Sequence, residues 1–362
     1  MPAALIALPR SPSFVIHVGP HKTGSTYLQF SFRALRGDLA ARGTVFPEIW
    51  ELGRGRPSQG LLMSKLRDGH VDELAPEFAA LLGSGAELIL ISSEDLSDLD
   101  RPALERLRVL TAGHPVRIVF YVRRWSDLIP SAWQEMVKQG HYQTLPEFML
   151  THLLQPEESR LLNFDVRLSA FTDVFGIESV TLVSYSELSD RGVDLFEHFA
   201  TNILGWSDAP TPRRLKVPNA SRDVREAELL RALNAVASAH KLPASGAIRW
   251  AFDQMNYKRV PPPILAAMNR YIRKVRIDDR LLSLQRLHGA LARKYMARML
   301  PPKMAAHLFR PVVREVEIVG GDYQAEAEAG TALRDLFSQL CATLEIPLAA
   351  SEDARRTDVA IS

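Results

Sequence analysis

Phe14-Val15-Ile16-His17-Val18-Gly19-Pro20-His21-Lys22-Thr23-Gly24-Ser25-Thr26 is the stretch on which the fold turns. The apolar run over residues 14–18 predicts a buried strand, and the glycine-bearing turn after it feeds a helix opening at Ser25. The first N–H groups of a helix have no partner within their own turn, and the helix dipole places partial positive charge beside them. Such a turn at the end of a buried strand is a cradle for an anion. Lys22 brings a cation to it. Thr23, Gly24, Ser25 and Thr26 bring N–H and hydroxyl donors.

The common phosphate-binding loop reads G-x-x-x-x-G-K-[ST]. Gly19 and Gly24 keep that glycine spacing, but Ser25 stands where the lysine belongs and the lysine has moved forward to Lys22. The cation is therefore presented from another angle.

Working outward, residues 88–91, 117–122 and 180–183 predict three more buried strands, and residues 43–47 a short edge strand stopped by Pro47. Helices are expected over 25–36, 71–82, 101–111, 128–138 (with Pro130 in the first turn) and 194–204. Residues 51–70 read as a polar loop with a short helix inside it. Short apolar strands alternating with helices predict an α/β fold, a doubly wound parallel sheet covered on both faces. Ligands of such sheets sit beyond the carboxyl ends of the strands. Ser92-Ser93-Glu94-Asp95, Arg123-Arg124-Trp125-Ser126-Asp127 and Ser184-Tyr185 all fall there.

The division expected is a tail over 1–13, an α/β core over 14–206, a mostly helical extension over 207–348 completing the substrate cleft, and a flexible tail over 349–362. Within the extension, residues 210–218 read as a linker carrying Arg213, Arg214 and Lys216. A helix is expected over 221–240, a stiff break at 260–263, and a helical, basic pattern over 265–299. Nine Lys or Arg fall between Arg270 and Arg298 against two Asp. Such a face is either solvated or meets an acidic acceptor.

The chain has 362 residues, 46% of them hydrophobic, with net charge +2 and one cysteine, Cys341. That is enough apolar material for a large core. The near-neutral charge argues against a general nucleic-acid-coating surface. One cysteine allows no internal disulfide, and its apolar neighbours predict a buried thiol. No apolar run approaches the ~20 residues of a membrane span, and the start carries no basic n-region or long h-region. A cytoplasmic protein is expected. No metal-ligand cluster is singled out and there is no cysteine pair, so no metal is called for.

Arg123 at a strand end and Ser131 eight residues on, at the start of the next helix, are a second candidate anion clamp, the arginine acting bidentately. Taken together the two motifs resemble the sulfotransferases that use 3′-phosphoadenosine 5′-phosphosulfate (PAPS). Their phosphosulfate loop, commonly PKSGTTWL, is similar to Pro20-His21-Lys22-Thr23-Gly24-Ser25-Thr26-Tyr27-Leu28. Their 3′-phosphate motif is similar to the run from Tyr121 to Ser131. His-Lys-Thr-Gly-Ser-Thr and Ser-Ser-Glu look most like bacterial members that modify glycans or small molecules. The likeness covers residues 14–240.

The resemblance implies that Lys22, Thr23, Gly24, Ser25 and Thr26 hold the phosphosulfate and that Arg123 and Ser131 hold the 3′-phosphate, with Arg124 as a neighbouring rival. It implies that Tyr27, in place of the family's tryptophan, and Tyr185 contact the adenine. The product would be 3′,5′-adenosine diphosphate. Glu94 resembles the glutamate base of some glycan sulfotransferases, with His21 and His17 as rivals; His17, on the strand itself, reads as a core histidine. His21 could instead contact the phosphosulfate. The reaction implied is in-line sulfuryl transfer to a hydroxyl. Trp125, Trp133 and Trp250 are either sugar-stacking surfaces or core, with core expected for at least two. Two other readings stand beside this one. A P-loop kinase would want lysine after Gly24 and aspartate at the end of the 88–91 strand, where the chain has serine. A non-catalytic relative would only bind nucleotide or a partner.

Overall fold

Four apolar runs become the long strands of one parallel sheet: β1 (Ser13–His17), β3 (Leu88–Ser92), β4 (Val116–Val122) and β5 (Val180–Ser184). A two-residue β2 (Thr44–Val45) precedes β3 and is cut off shortly before Pro47. The order is β2-β3-β1-β4-β5, and every recorded pairing is parallel. Successive residues Ile89, Leu90 and Ile91 point to opposite faces and are all fully buried, so both faces of the sheet are covered. These positions come from a computed structural model, which describes residues 12–53, 55–208, 210, 223–242, 247–254, 260–280, 282–300 and 312–344. The linker cations Arg213, Arg214 and Lys216 and the tails over 1–11 and 349–362 lie outside the described residues.

The helices before β5 are α1 (Ser25–Ala34), α2 (Arg36–Ala41), α3 (Gly60–Asp68), α4 (Val71–Leu82), α5 (Arg101–Leu110), α6 (Trp125–Lys138), α7 (Leu145–Leu153) and α8 (Asp165–Phe175). Those after it are α9 (Tyr185–Asp190), α10 (Leu195–Asn202), α11 (Val224–Ala239), α12 (Ala247–Gln254), α13 (Pro262–Tyr271), α14 (Leu282–Tyr295) and α15 (Ala327–Thr343). Local chemistry sets several ends. Asp100 caps α5 by accepting from Ala103 N, and Asp194 caps α10 by accepting from the N–H groups of Phe196 and Glu197.

Contacts divide the chain into two units. The first is Met1–Leu128, His152–Asn219 and Asp278–Val312; the second is Ile129–Thr151, Ala220–Ile277 and Val313–Ser362. Against the expected division near residue 206, the chain leaves the sheet unit at Ile129–Thr151 and returns to it at Asp278–Val312. The return supports β5, because Leu300 N donates to Leu182 O at 2.8 Å. It also supports α6: Asp279 accepts from Ser126 N at 3.1 Å and from Ser126 Oγ at 3.0 Å.

In the second unit the helical pattern expected over 265–299 is interrupted by β6 (Ile272–Asp278), which pairs with β7 (Val313–Val319). The reason is legible afterwards. Val275 and Ile277 alternate with Lys274 and Arg276, a period of two rather than 3.6. A basic strand meets an acidic one, and Lys274 lies 3.9 Å from Glu315. The core of this unit is α11, buried over most of its surface. Its Glu228 and Arg231 form a buried two-point ion pair at 2.8 and 2.6 Å, and Asn234 donates to the carbonyls of Val137 and His141. Cys341 on α15 is buried and unpaired, as its neighbours predicted. Among the described residues, no helix is long and apolar enough to cross a membrane.

Candidate functional site

The chain passes from β1 to β2 and β3 on one side of the sheet, then crosses to β4 and β5 on the other. Strand order therefore reverses at β1, the place where sheets of this kind hold ligands, beyond the carboxyl ends of the strands. The β1–α1 turn sits at that point.

The turn is built on two left-handed glycines, Gly19 at φ +80° and Gly24 at φ +82°. A Cβ on Gly19 would stand 2.8 Å from Glu94 Cα, and one on Gly24 would stand 2.4 Å from Leu195 Cδ2 and 3.1 Å from Tyr185 Cε2. Neither position has room for a side chain. Lys22 is also left-handed, at φ +68°, a conformation that costs a residue with a Cβ about 1 kcal/mol. Thr23 Oγ1 donates to Pro20 O at 2.6 Å and Ser25 Oγ does so at 3.4 Å. Both hydroxyls thus brace the turn from inside. Thr26 lies half-buried in the first turn of α1. Tyr27 donates to Asp194 Oδ2 at 2.5 Å, joining α1 to the cap of α10; burial, then the Asp194 bond and charge, hold the phenol above its usual range.

The two arginines at the end of β4 differ. Arg124 is only 6% exposed; its Nε contacts Asp127 at 3.0 Å and its Nη2 contacts Asp190 at 2.7 Å. Arg123 instead turns to the β1–α1 turn. Its Nη1 donates to the carbonyl of Lys22 at 2.7 Å, and its guanidinium carbon lies 5.2 Å from the Tyr185 ring centre. Its Nε is buried with no hydrogen-bond partner among the described residues. Burial holds this guanidinium below its usual pKa. Tyr185 opens α9 and also packs on Gly24. Lys22, Gly24, Arg123 and Tyr185, from three strand ends, are therefore brought together.

Glu94 follows β3 and begins a short 3₁₀ turn, Glu94–Asp98, capped by Ser93. Its backbone is the surface against which Gly19 packs. Gln29 Nε2, from α1, donates to Glu94 Oε2 at 2.6 Å. Asp95 lies beside it, with Oδ1 3.7 Å from the exposed His21 Nε2. Burial, then the charge of Glu94, pushes the Asp95 carboxyl up. His17 is a core residue: fully buried, it shares a hydrogen with Ser92 Oγ at 2.8 Å and packs edge-on against Tyr121 and Phe199. Burial lowers its pKa to about 3.

Ser131 is placed differently from expectation. Helix α6 begins at Trp125, so Ser131 stands in its second turn, past the orphan N–H groups, with Pro130 inside the helix rather than in its first turn. It also belongs to the second unit, whereas Arg123 belongs to the first, so the two are not paired within one unit. Trp125 and Trp133 are core: Trp125 stacks on His288 at 3.9 Å and donates to Leu162 O, and Trp133 donates to Gln143 O. Trp250 is exposed.

Part of the basic stretch is paired with carboxylates of the chain. Arg270 pairs with Glu326, Arg280 with Asp278, Lys294 with Asp165 and Arg298 with Glu178. Sequence reasoning passed over Gln29, a buried amide on α1, and Asp127 and Asp190, which occupy Arg124. Among the described residues, no group of three or more His, Cys, Asp or Glu is arranged to hold a metal ion. No protein-family model matches this chain, and neither a curated protein nor a solved structure matches it.

Proposed function

We propose that the chain is a PAPS-dependent sulfotransferase acting on a hydroxyl acceptor, a glycan or small molecule. The five-stranded sheet is read as doubly wound and the β1–α1 turn as a P-loop-like cradle. One observation carries the reading: at the switch point of the sheet, Arg123 is buried against the Lys22 turn with its Nε unpartnered, while the adjacent Arg124 is held by two carboxylates. A buried guanidinium nitrogen without a partner costs stability unless an anion completes it.

The residues present fit a doubly anionic nucleotide. PAPS, when bound, supplies the sulfuryl group and a phosphate leaving group. The turn's N–H groups and Lys22 stabilise anionic oxygen near α1. Arg123 reads a second phosphate, and Tyr185, packed between Arg123 and Gly24, offers a ring face to a base. Glu94 lies beside the same turn and accepts a proton from the acceptor hydroxyl. The single cysteine suits a reducing, cytoplasmic setting.

The test is thermal stabilisation by 3′,5′-adenosine diphosphate against ATP with magnesium. At 100 times Kd the former should stabilise by about 2.7 kcal/mol. Lys22→Ala and Arg123→Ala should each reduce that gain, as a Kd about 10- to 100-fold weaker requires, and abolish the turnover of radiolabelled PAPS. Preference for ATP with magnesium would favour a kinase, and nucleotide binding without turnover on a broad acceptor panel a non-catalytic binder.

A further inference from the structure

The amide of Gln29 is more than core filler. It is almost fully buried, at 2% exposed, and its Nε2 donates a 2.6 Å hydrogen bond to one oxygen of Glu94. Gln29 lies on α1, the helix that grows directly out of the Lys22 turn. Glu94 lies after β3, with Gly19 packed on its backbone. Glu94 is thus held from two directions by the β1–α1 segment: its main chain by a glycine with no Cβ, its carboxylate by an amide.

We infer that Gln29 is a positioning residue for sulfuryl transfer, fixing the Glu94 carboxylate so that Oε2 is held and Oε1 is presented to the acceptor. This rests on the proposed function. A neutral amide is suited to the task. It donates to one carboxylate oxygen without adding charge, so the other oxygen keeps its lone pairs for the incoming proton. A lysine or arginine would form an ion pair and weaken the base. The acceptor oxygen bonds to sulfur and its proton passes to Glu94 Oε1. The bond from sulfur to the bridging oxygen breaks, and its electron pair leaves on the phosphate of 3′,5′-adenosine diphosphate. Because Gln29 and Lys22 are on one continuous segment, the orientation of the base and the seat of the leaving group are set together.

The experiment is a double-mutant cycle with Gln29→Met, which keeps volume and removes the donor, and Glu94→Gln. Turnover is read with radiolabelled PAPS and the fastest acceptor from a panel of monosaccharides, oligosaccharides, phenols and aliphatic alcohols. Thermal midpoint and affinity for 3′,5′-adenosine diphosphate are measured alongside. Gln29→Met should lower kcat by about 10- to 100-fold with KM for PAPS and nucleotide affinity unchanged. In the Glu94→Gln background it should cost nothing further. An equal loss in both backgrounds, or a kcat within about twofold of wild type, overturns the role of Gln29 while leaving sulfuryl transfer standing. A Glu94→Gln enzyme with full kcat removes the base itself and the inference with it. A wild type with no turnover overturns both the reaction and this inference.

Discussion

Arg123 Nη1 donates to the backbone carbonyl of Lys22 at 2.7 Å, so the guanidinium at the end of β4 holds the peptide that carries the cation of the β1–α1 turn. The two are therefore coupled through the main chain. Lys22→Ala and Arg123→Ala should each weaken 3′,5′-adenosine diphosphate binding by about 10- to 100-fold. The double variant should lose less than the product of the two, because Arg123→Ala already loosens the Lys22 peptide. Isothermal titration of the four proteins checks this; strict additivity would separate the residues.

Arg124 should behave in the opposite way to its neighbour. Arg124→Ala leaves Asp127 and the half-exposed Asp190 without their cation, at a cost of about 2–3 kcal/mol in denaturant unfolding. Nucleotide affinity per folded molecule should be kept. Arg123→Ala should show the reverse pattern, with stability near wild type and binding weakened.

Gly19→Ala forces a Cβ to within 2.8 Å of Glu94 Cα, a backbone atom that has no rotamer to move into, and asks alanine to adopt φ +80°. A loss of about 2–4 kcal/mol is expected from strain and overpacking. Any protein that still folds should have a displaced Glu94 and a low kcat. Lys22→Gly is the complementary change. It relieves the left-handed strain, so stability should hold or rise by about 1 kcal/mol while turnover disappears.

Burial lowers the pKa of His17 to about 3 and those of His198 and His288 to about 4. The unfolded chain takes up these protons near pH 6.5 while the folded one refuses them. Their contribution to stability is then complete above about pH 6.5 and is lost as pH falls toward 4 and then 3. Each proton adds a slope of about 1.4 kcal/mol per pH unit. Urea unfolding at a series of pH values should show it, and His17→Leu should reduce the slope by one proton's worth.

Tyr27→Phe should cost about 1 kcal/mol through the lost bond to Asp194 and leave nucleotide affinity intact. A marked fall in affinity would instead place the phenol on the nucleotide.

The strands and the turn were legible because their signals are local: apolar runs, glycine spacing, polar residues at run ends. Helix α4 fell on the expected residues, 71–82, for the same reason. What escaped depends on distant partners. The start of α6 was read three residues late because its capping carboxylate is Asp279, 153 residues away in sequence. That misplaced Ser131 in the first turn. The role of Gln29 depends on a carboxylate 65 residues further on. Strand β6 was mistaken for helix because its Arg and Lys side chains resemble a solvated helical face until the acidic β7 is seen beside them. Helices α7 and α8 were not anticipated, since residues 145–175 mix apolar and polar positions without a clear face.

The bond from Asp279 to Ser126 has a bearing on how the protein is made. A nascent chain that has released β5 from the ribosome already holds every strand of the parallel sheet, yet it lacks the carboxylate that quiets the opening of α6 and the segment that covers the outer edge of β5. Until Asp279 and Leu300 emerge, that edge and that helix end stay open to chaperones, proteases and stray strands. Synthesis and folding of the first unit should therefore finish late, and a truncation placed anywhere before Asp279 should yield aggregate in place of a smaller working domain.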